Sequence, residues 1–78
     1  MAPWAPETWI NRGAELIATD PDTAQRLIAQ GISLWPDQGV AWFNLGLALH
    51  QRRRIDGAIR AYRQALVSQV PPIQEATN

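Results

Sequence analysis

The sequence predicts an all-α fold of four helices, paired as two stacked helix-turn-helix hairpins. Three observations predict it. Proline and aspartate divide the 78 residues into four segments, each long enough for three or four helical turns. No segment alternates apolar and polar residues as a half-buried strand would. Residues 9 to 36, laid over residues 42 to 71, repeat the same pattern of tryptophan, glycine and alanine.

The elements follow in order. Pro6 stands near the opening of the first helix, where its missing N–H costs nothing, and the helix is expected from about Glu7 to Ala18. Thr19-Asp20-Pro21-Asp22 makes the turn. Asp20 caps a second helix expected from Pro21 to Leu34, which stops because Pro36 disfavours helical geometry at Trp35. Asp37 is expected to cap the third, from Gln38 to Gln51. Arg52, Arg53 and Arg54 close that helix at its negative end and lead into the fourth, Ile55 to Gln69, stopped by Pro71 and Pro72. Residues 72–78 read as a polar tail, so the chain divides into one unit at 6–36 and a second at 39–71 within a single domain.

Spacing assigns the faces. Ile55, Ala58, Ile59, Tyr62, Ala65 and Leu66 fall three or four apart on one side of the fourth helix. The third helix has two apolar stripes, one with Trp42, Leu45, Gly46 and Leu49, the other with Val40, Phe43 and Leu47. Such a helix needs neighbours on both sides, or a ligand on one. Glycine at 13, 31 and 46 costs about 1 kcal/mol per residue within a helix, which points to helices in close approach.

The repeat is residue by residue. Trp9 precedes Gly13 by four positions as Trp42 precedes Gly46; Asn11 matches Asn44, Leu16 matches Leu49, Ala24 matches Ala58, Ile28 matches Tyr62 and Gly31 matches Ala65. The first unit is one residue shorter in its turn. Trp42, Leu45, Gly46, Leu49, Ala58, Tyr62, Ala65 and Pro71 resemble the tetratricopeptide repeat, a 34-residue helix-turn-helix unit. The first unit resembles it as a degenerate member, with Arg12 in place of leucine and Ile28 in place of an aromatic. The resemblance implies a fragment of an α-solenoid with Gly13 and Gly46 facing Ala24 and Ala58, and Ile28 and Tyr62 filling the gap to the adjoining hairpin. It also implies a concave groove for a peptide, lined by Ile10, Asn11, Ala14 and Ile17 from one hairpin and by Val40, Phe43, Asn44, Leu47 and Gln51 from the next. The two asparagines would hold the backbone of a bound chain. Family members that clamp a peptide's terminal carboxylate use lysines there; this chain has none, so an apolar peptide or helix is the expected ligand.

Composition narrows the function further. There is no cysteine, hence no disulfide or thiolate metal site, and one histidine, His50, without acidic residues a helical turn away. Asp20 and Asp22 flank a proline, where capping accounts for them. No catalytic site, cofactor or metal is expected. Formal net charge is zero, with −3 over residues 1–39 and +3 over residues 40–78. Arg52, Arg53 and Arg54, helped by Arg60 and Arg63, form the one candidate anion contact, short of a nucleic-acid footprint. The richest apolar run, Val40 to Leu49, is too short to span a membrane, and the expected setting is soluble and cytoplasmic. Trp35 is expected to plug the junction between hairpins and Trp4 to fold back as a cover. The expected partner is a protein or peptide. Two hairpins are few for a stack of this kind, so a longer polypeptide or self-association, a homodimer for instance, is expected to cover Leu66, Val67 and Val70 at the open end.

Overall fold

The computed structural model describes residues 5–69, apart from the side chain of Gln69. Four helices run in order, α1 Pro6–Leu16, α2 Pro21–Leu34, α3 Gly39–Gln51 and α4 Ile55–Gln69, with no strand among the described residues. α1 pairs with α2 and α3 with α4, and α2 packs on α3 to join the hairpins. Trp4, Val70 and the tail at 72–78 lie outside the described residues.

Local chemistry sets most of the boundaries. Asp20 is the N-cap of α2 and its Oδ1 accepts from the Thr23 N–H at 3.3 Å, as the Asp-Pro signal predicts. α1 stops at Leu16, two residues before the expected end, because the Asp20 N–H turns back to the Leu16 carbonyl at 2.7 Å. Asp37 is not the cap of α3. Gln38 holds that position without a side-chain bond, its carbonyl accepting from the N–H groups of Ala41 and Trp42, which leaves Asp37 one residue too early.

The end of α3 splits the arginine run. The Arg53 N–H reaches the His50 carbonyl at 2.9 Å and the Arg54 N–H reaches the Leu49 carbonyl at 2.8 Å, a Schellman ending. It requires the left-handed backbone at Arg53, φ 64°, where glycine is the usual residue.

Inside each hairpin a glycine receives a larger side chain from the partner helix. A Cβ on Gly13 would stand 2.5 Å from Ile28 Cγ1 and 3.0 Å from the Ala24 carbonyl oxygen; one on Gly46 would stand 2.5 Å from Tyr62 Cε1. Ile28 and Tyr62 therefore pack within their own hairpins, not only into the gap between hairpins. Ile28 does both, since it shares a cluster with Ile10, Ala24, Ile32 and with Ala41 and Ala48 of the second hairpin. The second cluster is Leu49, Ala58 and Ala61, with Trp42, Leu45 and Tyr62 against it. α4 thus buries Ala58, Ala61 and Ala65, while Ile55, Ile59 and Leu66 of the expected apolar side remain exposed. Trp35 is 39% exposed and does not plug the junction. There the Trp42 indole N–H donates to the Pro36 carbonyl at 2.8 Å.

The glycine contacts and the Schellman turn give opposite expectations for single substitutions. Gly13→Ala should destabilise by about 1–2 kcal/mol, overpacking against Ile28 and the Ala24 backbone exceeding the gain in helix propensity. Gly57→Ala, whose Cβ would stand 3.4 Å from the nearest Leu49 atom, should stabilise by about 0.5–1 kcal/mol. Urea unfolding of both variants measures the pair, and a stabilised Gly13→Ala would refute the close-packing account. Arg53→Gly should raise stability by about 1 kcal/mol through relief of the left-handed backbone, read as an upward shift of the same transition.

Candidate functional site

Among the described residues, Leu34 and Trp35 are exposed at the end of the first hairpin, and the other large apolar side chains left in water, Val40, Phe43, Ile55, Ile59, Leu66 and Val67, lie on the second. Phe43 on α3 is 47% exposed, and its ring meets Tyr62 of α4 at a centroid distance of 5.6 Å and a tilt of 43°. The two rings, with Ala65 and Leu66, line an open hollow of about 340 Å³. Val40 lies one turn before Phe43 and Leu47 one turn after it, the first exposed and the second half-buried. Leu66 and Val67 extend the patch along α4. An exposed aromatic and four aliphatic side chains on adjoining surfaces make a place where an apolar partner displaces water.

The groove residues taken from the family resemblance divide into three groups. Val40, Phe43, Asn44 and Leu47 are on the accessible part of α3, Asn44 half-buried. Asn11 and Gln51 are exposed, and Ala14 and Ile17 are half-buried, Ile17 packing on the first core cluster. Ile10 is the correction. It is 4% exposed and seated over Gly31 of α2, where a Cβ would stand 2.7 Å from its Cγ1, so it is a core residue that a ligand does not reach. Tyr62 and Ala65 were not among the expected site residues. The repeat itself carries the signal, because they are the counterparts, on α4, of Ile28 and Gly31 on α2.

The structure separates Arg52 from Arg53 and Arg54. Arg52 is the C-cap residue of α3, its Nη1 donates to Gln25 Oε1 of α2, and its Nη2 lies 3.5 Å from Asp22 Oδ1, which ties the second hairpin to the first. Asp22 also pairs with Arg26 at 3.3 Å, one turn along α2. Arg53 and Arg54 remain exposed. His50 is exposed in the last turn of α3, and no group of three His, Asp or Glu among the described residues could hold a metal ion. No helix among them is long and apolar enough to cross a membrane.

A second hollow, of about 460 Å³, lies on the first hairpin between Thr8, Trp9, Arg12 and Leu16 of α1 and Thr23 and Leu27 of α2. The Trp9 indole nitrogen is buried there with no hydrogen-bond partner among the described residues, unlike that of Trp42.

Residues 39–68, the whole of the second hairpin but for its last residue, match a family model described as tetratricopeptide repeat. No curated protein and no solved structure matches the chain. Repeats of this family generally mediate protein–protein interaction, and the family is typically non-catalytic.

One titration is tied to the fold. Hydrogen bonds from the Thr23 side chain, and then from its backbone N–H, hold the Asp20 carboxyl below the usual aspartate range. A lowered folded-state pKa means that the cap's contribution is present above the unfolded pKa and is lost as pH falls through the folded one. Acid titration of stability should therefore show a loss below the ordinary aspartate pKa that Asp20→Asn flattens; an unaltered acid limb in Asp20→Asn would remove the cap from the account.

Proposed function

We propose, on the premise that this chain carries a tetratricopeptide repeat at residues 39–68 stacked on a second, divergent hairpin, that it is a non-catalytic protein-interaction module. The two hairpins act as a single domain. Its ligand is an apolar peptide or a short helix buried against Val40, Phe43 and Leu47, with Ala14, Ile17 and Gln51 along the edge of the groove. Asn11 and Asn44 occupy equivalent positions on α1 and α3, and their amides, each both donor and acceptor, hold the backbone of the bound segment.

The exposure of Phe43 carries this reading. A phenylalanine nearly half in water, beside Val40, is apolar area that the described residues do not use for their core. Aromatic side chains supply large contact area with few rotors to freeze, which suits them to anchor a partner.

Peptides selected from a displayed library against the full chain provide the test. Phe43→Glu and Leu47→Glu should each weaken the selected peptide by at least ~10-fold, the effect of an anchor worth about 1.4 kcal/mol, while circular dichroism keeps its helical signal. Unchanged affinity in both variants would remove the groove.

A further inference from the structure

A third hollow, of about 480 Å³, lies where α2 meets the turn between α3 and α4, with Gln25, Leu49, Arg53, Arg54, Ile55 and Asp56 around it. Its polar groups are chiefly donors. Among the described residues Arg12, Arg26 and Arg52 each pair with a carboxylate, whereas Arg53 and Arg54 are exposed and their guanidinium groups make no hydrogen bond or ion pair. Gln25 adds another donor. Arginine has no acceptor, so Gln25 turns its Oε1 to Arg52 Nη1, and its NH2 group is left without a partner among those residues. Asp56 is the one carboxylate at the hollow, and it offsets only one of the two arginines.

Arg53 stands there against the preference of the backbone. Its φ of 64° is where glycine is the usual residue, so the arginine lowers the stability of the turn it belongs to. A side chain kept in such a place points to a use other than folding. Leu49, nearly buried, and Ile55, 47% exposed, give the hollow an apolar side. We propose that this hollow binds an oxyanion carrying an apolar substituent, a phosphate monoester or a carboxylate. Its oxygens bridge Arg53 and Arg54, the Gln25 NH2 donates a further hydrogen bond, and the substituent lies against Leu49 and Ile55. Planar guanidinium groups match the oxygens of both kinds of anion. Arg52, engaged with Gln25 and Asp22, takes no part. The hollow shares no residue with the groove of Val40, Phe43 and Leu47, and the two readings stand or fall separately.

Titrating the full chain with phenyl phosphate and, separately, with benzoate, followed by nitrogen–proton NMR, tests this. Saturable shifts are expected at the Arg53 and Arg54 side chains, the Gln25 NH2 and the amide of Gly57, which also lines the hollow. The tighter ligand identifies the source of the anion, phenyl phosphate a phosphate ester and benzoate a carboxylate. Arg53→Gly and Arg54→Gln should each weaken binding by about 2- to 5-fold, as for an exposed ion pair, and Asp56→Asn should tighten it. Arg60→Gln, outside the hollow, should leave it unchanged. Glycine suits the backbone at position 53, so a signal lost in Arg53→Gly is not lost structure. Three results would overturn the proposal. One is no saturable shift with either ligand up to ~50 mM. Another is equal weakening by Arg60→Gln, the mark of diffuse charge attraction. The third is unaltered affinity when Arg53→Gly and Arg54→Gln are combined.

Discussion

The structure depends on how closely two helices can approach where a side chain from one is received by a glycine of the other. At Gly13 and Gly46 no Cβ could be accommodated without moving Ile28 or Tyr62, so the helix axes are as near as backbone and ring or branched carbon permit. Glycine inside a helix costs about 1 kcal/mol relative to alanine, and the same cost is accepted at equivalent places in both hairpins. What it secures is position. With Ile28 on Gly13, α2 presents Ile32 and the remaining face of Ile28 toward α3, and the second hairpin has an apolar surface to stack on. With Tyr62 on Gly46, α4 holds the ring that Phe43 leans against, and the hollow on the second hairpin follows.

Stacking of the hairpins is mainly a matter of apolar burial, with one polar tie. Ala41 and Ala48 are fully covered where α3 meets the first hairpin, and small side chains there let α2 and α3 pack closely. Arg52 adds bonds to Gln25 and Asp22 across the same junction. Asp22 is more than half exposed, so this ion pair is worth at most about 1 kcal/mol and is better understood as fixing the relative register of the hairpins than as holding them together. The opposite charges of the two halves of the chain are in part neutralised here, inside the molecule.

The helical architecture was legible because its signals are local. Asp20-Pro21 and Trp35-Pro36 bound α2 at the expected residues, and Ile55 and Gln69 bound α4. Asp37 misleads because an aspartate caps a helix only where its own carbonyl accepts the first helical bonds, and here the Gln38 carbonyl accepts them. The arginines at 52, 53 and 54 look alike in sequence, yet a single left-handed residue turns the chain between them and sends Arg52 alone back to α2. Burial was the least legible quantity. Ile10 and Phe43 are counterparts in the repeat, one in the core and one in water, and nothing in their own helices separates them. The difference lies on the partner helices: Ile10 is seated over Gly31 of α2, whereas the equivalent place on α4 is Ala65 and Phe43 meets the Tyr62 ring, which the periodicity of one helix does not encode.

That difference also bears on what the second hairpin is for. Residues exposed to the degree of Leu66 and Val67 contribute little to the packing of the described hairpins, so polar side chains could replace them at small cost to folding. The outer side of α1 shows that the fold tolerates this, since Thr8, Arg12 and Glu15 stand where α3 carries Ala41, Leu45 and Ala48. The first hairpin therefore carries polar residues at these positions, while the second leaves Phe43, Leu66 and Val67 exposed. Isolated exposed leucines need no explanation, but Phe43 and Leu66 line one hollow with Tyr62 and Ala65, and exposed apolar patches commonly mark contacts with other molecules.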